Sequence, residues 1–327
     1  MKAYYLGIDT SCYTTSCAIV DESGNLLGEA RKILDVADGK RGLQQSNMVF
    51  QHTRVLPSLI ESLPQVPLTA IGVSAFPRRE EDSYMPAFLV GKGHGHSLAH
   101  MMKIPVYEFS HQENHILAAL RKQDYPLDKP FFSLHLSGGT TELVYCQPCE
   151  RGIIDTRLLG GAMDLHGGQF VDRIGVALGL HFPTGAQLDC LSQEGEDYEP
   201  LPSSVKAGQI SFGGPCSEAL RRIERAAIHE MDEEHLVHYQ GQMGRAVFHA
   251  MANGLEKMLA YHLESYPVED LVAVGGVLSN GSIRQRLQAF CKRHNITAIF
   301  ADPKYSVDNA TGVAFGASLM AAKSSRQ

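Results

Sequence analysis

The chain of 327 residues has no apolar run near the ~20 residues that a membrane-spanning helix requires. No secretory leader is expected either, because the first apolar run, residues 3–8, meets Asp9 too early. A cytoplasmic protein with no membrane partner is therefore expected. Cysteine is too scattered and odd in number for a disulfide framework, so the seven thiols are expected to be reduced. Cys146 and Cys149 form a C-x-x-C, but no second pair stands beside it to complete a zinc ribbon. A basic excess is missing too: 29 Lys and Arg against 36 Asp and Glu leave a net charge of −7. That is the reverse of a stand-alone nucleic-acid binder. Any RNA contact must use a local patch, for which Arg78-Arg79, Arg221-Arg222 and Lys292-Arg293 are candidates. There is no low-complexity segment, and no glycine run has Walker or dinucleotide-fingerprint spacing.

What is present reads as two similar halves. Residues 3–8 end at Asp9 and are followed by a polar turn, a second apolar run at 16–20, the turn 21–24 and a third stretch. The same strand–turn–strand–turn–strand order returns at 131–136, Ser137-Gly138-Gly139-Thr140-Thr141, 142–146 and the stretch after Gly152. Short apolar strands at 70–74 and 271–274 alternate with helical patterns, which predicts an α/β fold with two related lobes. The polar, proline-containing stretch 123–130 places the division at 1–128 and 129–327. A Gly/Ala-rich helix from about Asp308 is expected to pack back on the first lobe.

Ser110 followed by Glu113 is a capping box, and Ile116, Leu117 and Leu120 supply a buried stripe, so a helix begins at residue 111. His111 and His115 then lie one above the other on one face, at a separation that lets two imidazoles share a metal. The helix dipole disfavours imidazolium there and keeps the rings neutral. The competing reading is a plain polar face. Gln112 stands where a zincin protease needs Glu, so a protease is disfavoured. His94, His96 and His100 form a second candidate metal group, read as a helix start packed on the core. Glycine turns follow apolar strands at Gly7, Ser137-Gly138-Gly139, Gly160-Gly161 and Gly275-Gly276, where backbone N–H groups can approach phosphate. Asp9 at the end of the first strand leaves a kinase or phosphohydrolase open.

In order along the chain, Gly7-Ile8-Asp9-Thr10-Ser11-Cys12, the His111/His115 helix, Ser137-Gly138-Gly139, Phe170-Val171-Asp172-Arg173, Ser211-Phe212-Gly213-Gly214, Gly275-Gly276-Val277 and Asp308-Asn309 resemble the TsaD family. The likeness runs from about Tyr4 to Ala317. That family, once labelled a sialoglycoprotease, is similar in fold to actin, sugar kinases and the heat-shock chaperone ATPases. The resemblance implies an actin-like ATPase (ribonuclease H-like) fold around a nucleotide cleft, and transfer of threonylcarbamoyl from threonylcarbamoyl-AMP to a tRNA adenosine. It also implies one divalent metal on His111, His115 and Asp308, iron or zinc rather than magnesium. An adenine nucleotide (ATP, AMP or acyl-AMP) would have its ribose held by Asp172 and Gly185, its adenine and phosphate side lined by Gly276 and Asn280, and its acyl-phosphate faced by Ser137, Gly138 and Gly139. Asp9, Ser137 and Thr140 are the expected catalytic side chains.

The chain departs from the family pattern in three places. Tyr13 and Thr14 replace the two acids of S-C-D-E-T, Thr140 replaces the histidine of S-G-G-H-T, and Arg78 to Asp82 put charge in a Gly-Pro-Gly-like turn. These changes predict a divergent paralog, with a different acceptor or rate, acting on tRNA through partner proteins in a hetero-oligomer. The alternatives are a non-catalytic nucleotide-binding partner of a complex, or a related carbamoyltransferase or phosphohydrolase with another acceptor.

Overall fold

The computed structural model describes residues 2–36, 43–123, 125–150, 152–193 and 197–325. It divides into two compact units. The first comprises Met1–Lys129, Gln147–Thr156 and Ala301–Gln327, and the second Pro130–Cys146 and Arg157–Phe300.

The first unit is built on strands β1 (Tyr4–Asp9), β2 (Thr14–Asp21), β3 (Leu26–Ile33), β4 (Leu68–Phe76) and β5 (Val106–Ser110), with helices α1 (Gln45–Glu61), α2 (Phe88–Met102) and α3 (His111–Leu120). The sheet order is β3-β2-β1-β4-β5. The first three strands are antiparallel, and β4 and β5 run parallel to β1. β1 is apolar as far as Asp9 because helices cover both of its faces. Leu56, Val90 and Ala99 of α1 and α2 pack against Ile8, Ile71 and Val73.

The second unit repeats this plan. Its strands β6 (Phe131–Leu136), β7 (Thr141–Pro148), β8 (Ile154–Gly161), β11 (Asp270–Val274) and β12 (Thr297–Phe300) lie in the order β12-β11-β6-β7-β8. β6 pairs antiparallel with β7 and parallel with β11. The hairpin β9 (Ser204–Lys206) and β10 (Gln209–Ser211) and helices α4 (Gly167–Ala177), α5 (Gly185–Ser192), α6 (Gly213–Ala226), α7 (Glu233–Leu263) and α8 (Gly281–Arg293) complete it. One core, including Phe132, Leu136, Phe170, Met251 and Leu287, unites sheet and helices. The last helix, α9 (Thr311–Ser324), belongs to the first unit. Its Ala314 and Ala317 pack on Tyr5, Val20 and Ala70.

Two local expectations differ from what is found. His94, His96 and His100 do not open a helix but sit inside α2, which starts at Phe88. Gly95 is there because the helix lies hard against the sheet, and an added Cβ would collide with Val73. Asp308 likewise precedes α9 rather than opening it, since the helix begins at Thr311.

Candidate functional site

β5 passes directly into α3, and the capping box fixes the first turn. Ser110 Oγ accepts from Glu113 N at 3.1 Å, and Glu113 Oε2 accepts from Ser110 N at 2.7 Å. Buried Glu113 also receives Arg79 Nη2 on both carboxylate oxygens at 3.0 Å. On the turn so fixed, the Nε2 atoms of His111 and His115 approach to 3.1 Å. Asp308 Oδ1 lies 3.6 Å from the first and 3.5 Å from the second. The loop carrying Asp308 is tied to α3 by Asn114, whose Nδ2 donates to Asn309 O at 2.7 Å and whose Oδ1 accepts from Val313 N at 2.9 Å. Asn114 also reaches Asp9, donating to its Oδ2 at 3.3 Å.

Cys12, to which sequence patterning gives no ligand role, joins this group from the β1–β2 turn. Its Sγ lies 3.9 Å from His111 Nε2. A ligand atom each of Cys12, His111 and Asp308 falls within 4.8 Å of the other two. The turn is held by buried His52, hydrogen-bonded to Thr15 Oγ1 at 2.8 Å and to Cys12 O at 3.1 Å. No local spacing could reveal this set, because Cys12 and His111 are far apart in sequence.

Burial, and then the neighbouring His115 charge, lowers the His111 pKa to about 4, so the ring is neutral and able to ligate. Asp9 is fully buried, and desolvation followed by the Asp308 charge pushes its carboxyl up to about 7. Burial and the two carboxylates also raise the Cys12 thiol. His111 Nδ1 is buried with no hydrogen-bond partner among the described residues. Ring orientation therefore rests on the Nε2 contacts with His115 and Cys12 and on edge contacts with Phe88 and His115. Converging imidazoles, a carboxylate and a thiol fit zinc or iron, and fit poorly a magnesium ion that prefers oxygen ligands. The α2 histidines do not converge: His94 Nδ1 bonds Val90 O, and His96 Nε2 meets Glu108 at 2.7 Å.

The second unit gathers most of the nucleotide candidates around one cavity of about 460 Å³, a size suited to a small molecule. Gly138, Asp172, Gly185, Gly276 and Asn280 line it, together with Asp189 and Phe248. Ser137, Gly139 and Thr140 complete the same turn as Gly138 without lining the cavity. The turn is closed by Ser137 N donating to Thr140 O at 2.8 Å, and anchored to α4 by Gly168 N donating to Ser137 O at 3.0 Å. Asp172 Oδ1 accepts from Thr184 N at 2.8 Å and Thr184 Oγ1 at 3.2 Å, so one carboxylate oxygen is already engaged. Asn280 Oδ1 caps α8 through Ile283 N at 2.8 Å while its Nδ2 donates to Asp189 Oδ1 at 2.6 Å. The only sequence hint to Asp189 is its place one turn after Gly185 on α5.

The three basic pairs are largely neutralised. Arg79 pairs with Glu113, Arg221 and Arg222 with Glu218, and Arg293 with Glu256. All seven cysteines are free. Among the described residues no helix is long and apolar enough to cross a membrane.

A family model described as tRNA N6-adenosine threonylcarbamoyltransferase (TsaD) matches residues 84–315. The tRNA N6-adenosine threonylcarbamoyltransferase of Persephonella marina is 26% identical over 318 residues, covering 95% of this chain and 88% of that protein. Among solved structures, full-length HypF in its phosphate- and nucleotide-bound form matches with TM-score 0.57 at 11% identity, over 98% of this chain and 55% of that one. Component A of the Acidaminococcus fermentans (R)-2-hydroxyglutaryl-CoA dehydratase gives 0.52 at 13%, over 98% and 99%. A ROK family glucokinase from Streptomyces griseus, in complex with glucose and AMPPNP, gives 0.52 at 13%, over 96% and 99%. These structural likenesses show the fold, an actin-like ATPase architecture of two α/β lobes.

Proposed function

Because this chain belongs to the TsaD family, we propose that it is a cytoplasmic, metal-dependent transferase that moves threonylcarbamoyl from threonylcarbamoyl-AMP to a tRNA adenosine. The observation that carries the metal part is the convergence of His111, His115 and Asp308 with Nε2 and Oδ1 atoms 3.1–3.6 Å apart. These three residues would hold the ion, and buried Asp9 adds a second carboxylate on that side. A divalent ion bound there supplies Lewis acidity toward a carbonyl or phosphoryl oxygen.

The chain's own residues bind and orient. Asp172 accepts from a ribose hydroxyl, Gly185 and Gly276 let the nucleotide approach the backbone, and Asn280 holds Asp189 against the cavity. In the transfer, the adenosine amine forms a bond to the carbamoyl carbon, the anhydride C–O bond breaks, and AMP leaves with the electron pair as the amine loses its proton. Backbone N–H groups of Gly138 and Gly139 are suited to the developing oxyanion, with Ser137 and Thr140 closing that turn. The amine is a weak nucleophile, so positioning contributes much of the rate.

Tyr13, Thr14 and Thr140 support a divergent paralog that works slowly alone and needs partner proteins with basic surfaces, given the net charge of −7. Thr140 favours the second reading, a non-catalytic nucleotide-binding partner, because a hydroxyl cannot supply imidazolium charge. The test is a transfer assay with purified protein, threonylcarbamoyl-AMP and unmodified tRNA, with and without candidate partners. Modification that requires partners and is abolished by His111→Ala supports the transferase. Nucleotide binding with no modification under any combination supports the scaffold.

A further inference from the structure

We propose that Cys12 is a direct ligand of the ion held by His111, His115 and Asp308, giving a donor set of two imidazole nitrogens, one carboxylate oxygen and one thiolate sulfur. This rests on the metal reading above and extends it to a residue from a different element.

The geometry is the main support. Metal bonds of about 2.0–2.1 Å to nitrogen or oxygen and about 2.3 Å to sulfur give tetrahedral edges of about 3.3 Å between the light atoms and about 3.6 Å to sulfur. The three light-atom edges are 3.1, 3.6 and 3.5 Å. The sulfur edge to His111 is 3.9 Å, and the sulfur also lies within 4.8 Å of the Asp308 oxygen. On the His111 side the sulfur is tenths of an ångström from such an edge, and His115 joins the set through its own edges to His111 and Asp308.

The backbone that carries the sulfur is held in place for this. Cys12 O is hydrogen-bonded by His52 Nε2, and Leu34 N donates to Tyr13 O at 2.8 Å, so the turn is tied on both sides of the peptide that follows Cys12. His52 is fully buried and its other nitrogen is engaged by Thr15. It acts as a positioning residue for the cysteine.

The consequence is chemical. When the ion binds, a sulfur–metal bond forms and the thiol proton passes to solvent. A soft thiolate shifts selectivity toward zinc and other thiophilic ions and away from magnesium. A substrate oxygen would then reach the ion as a fifth ligand, an expansion that zinc sites allow.

Cobalt(II) substitution tests this independently of catalysis. Metal-stripped protein is titrated with cobalt(II) and followed optically, alongside Cys12→Ser, Cys190→Ser and the His111→Ala/His115→Ala double variant. The expected result is visible d–d bands of tetrahedral cobalt together with a near-ultraviolet thiolate-to-cobalt band. The latter should disappear in Cys12→Ser and persist in Cys190→Ser, whose thiol is exposed elsewhere. Zinc affinity of Cys12→Ser should fall by at least about tenfold, since even outer-shell partners of ligands cost that much. Circular dichroism establishes that the near-isosteric variant folds. Tetrahedral d–d bands without the thiolate band overturn the role of Cys12 while leaving the three-residue site standing. Failure of the unmodified protein to take up cobalt or zinc overturns both.

Discussion

His115 Nε2 lies 3.1 Å from His111 Nε2, one helical turn apart on α3. Burial keeps His111 from carrying a proton at neutral pH. Two imidazoles facing one another can share a single metal, and the Asp308 carboxylate beside both favours a cation. Elemental analysis of the purified protein is expected to find about one equivalent of zinc or iron, and His111→Ala/His115→Ala should lose it. Equal metal content in the double variant would remove both histidines from the site.

How far this site could be read from sequence depended on the distance over which its parts are specified. The α3 helix was legible because Ser110 and Glu113 satisfy each other's backbone within one turn, and the histidine spacing follows from the same turn. Asp308 was expected to open the last helix. Instead Asn309 intervenes, its Oδ1 accepting from Thr311 N at 2.9 Å, which moves the helix start three residues beyond Asp308. Cys12 stood in a motif but its place beside the metal candidates was not legible, because its partners come from α3 and from the loop before α9. The repeated strand order of the two units was readable, since each half begins with the same run of strands and turns. The buried histidine under the Cys12 turn was not, because α1 carries no local sign that His52 faces inward.

Asp172 is expected to bind the nucleotide with one oxygen, because Thr184 already engages Oδ1. Calorimetry with AMP or ATP should show binding weakened by about 1–3 kcal/mol in Asp172→Ala, the scale of a hydrogen bond to a charged group. Thr184→Val tests the same arrangement from the other side. It removes the Oγ1 bond but leaves the Thr184 N bond to Asp172 Oδ1, and should weaken binding less. Unchanged affinity in Asp172→Ala would take the residue out of the ribose contact.

Asn280 has two duties that different substitutions separate. Asn280→Ala removes the α8 cap and should cost about 1 kcal/mol in urea unfolding, along with the bond to Asp189. Asn280→Asp keeps a capping oxygen but sets a second carboxylate against Asp189, whose own carboxyl is already raised by burial. Nucleotide affinity should therefore fall in Asn280→Asp although the cap survives. Equal affinity and stability in both variants would show that Asp189 and Asn280 do not shape the cavity together.

Asp164 organises the approach to α6. Its Oδ2 accepts from Ser211 Oγ at 2.6 Å and Gly213 N at 3.1 Å, and its Oδ1 from Phe212 N at 3.0 Å and Leu165 N at 2.7 Å. Burial alone would raise this carboxyl, but the Ser211 hydroxyl and the Phe212, Leu165 and Gly213 amides outweigh it and hold the group below the usual carboxylate range. The unfolded chain therefore takes up the Asp164 proton more readily than the folded one. The stabilisation is fully present above the unfolded value of about 3.9 and is lost as pH falls through the lowered folded value. Asp164→Asn keeps the shape but offers one amide donor where acceptors are needed. It should cost about 1 kcal/mol at pH 7, a figure discounted because the carboxylate is partly open to solvent. The gap between the two proteins in urea midpoint should stay constant from pH 7 to about pH 5 and narrow below about pH 4 as the native carboxylate protonates. A gap that stays unchanged to the lowest pH at which both proteins fold would mean that the charge on Asp164 contributes nothing, and that only its shape matters at the start of α6.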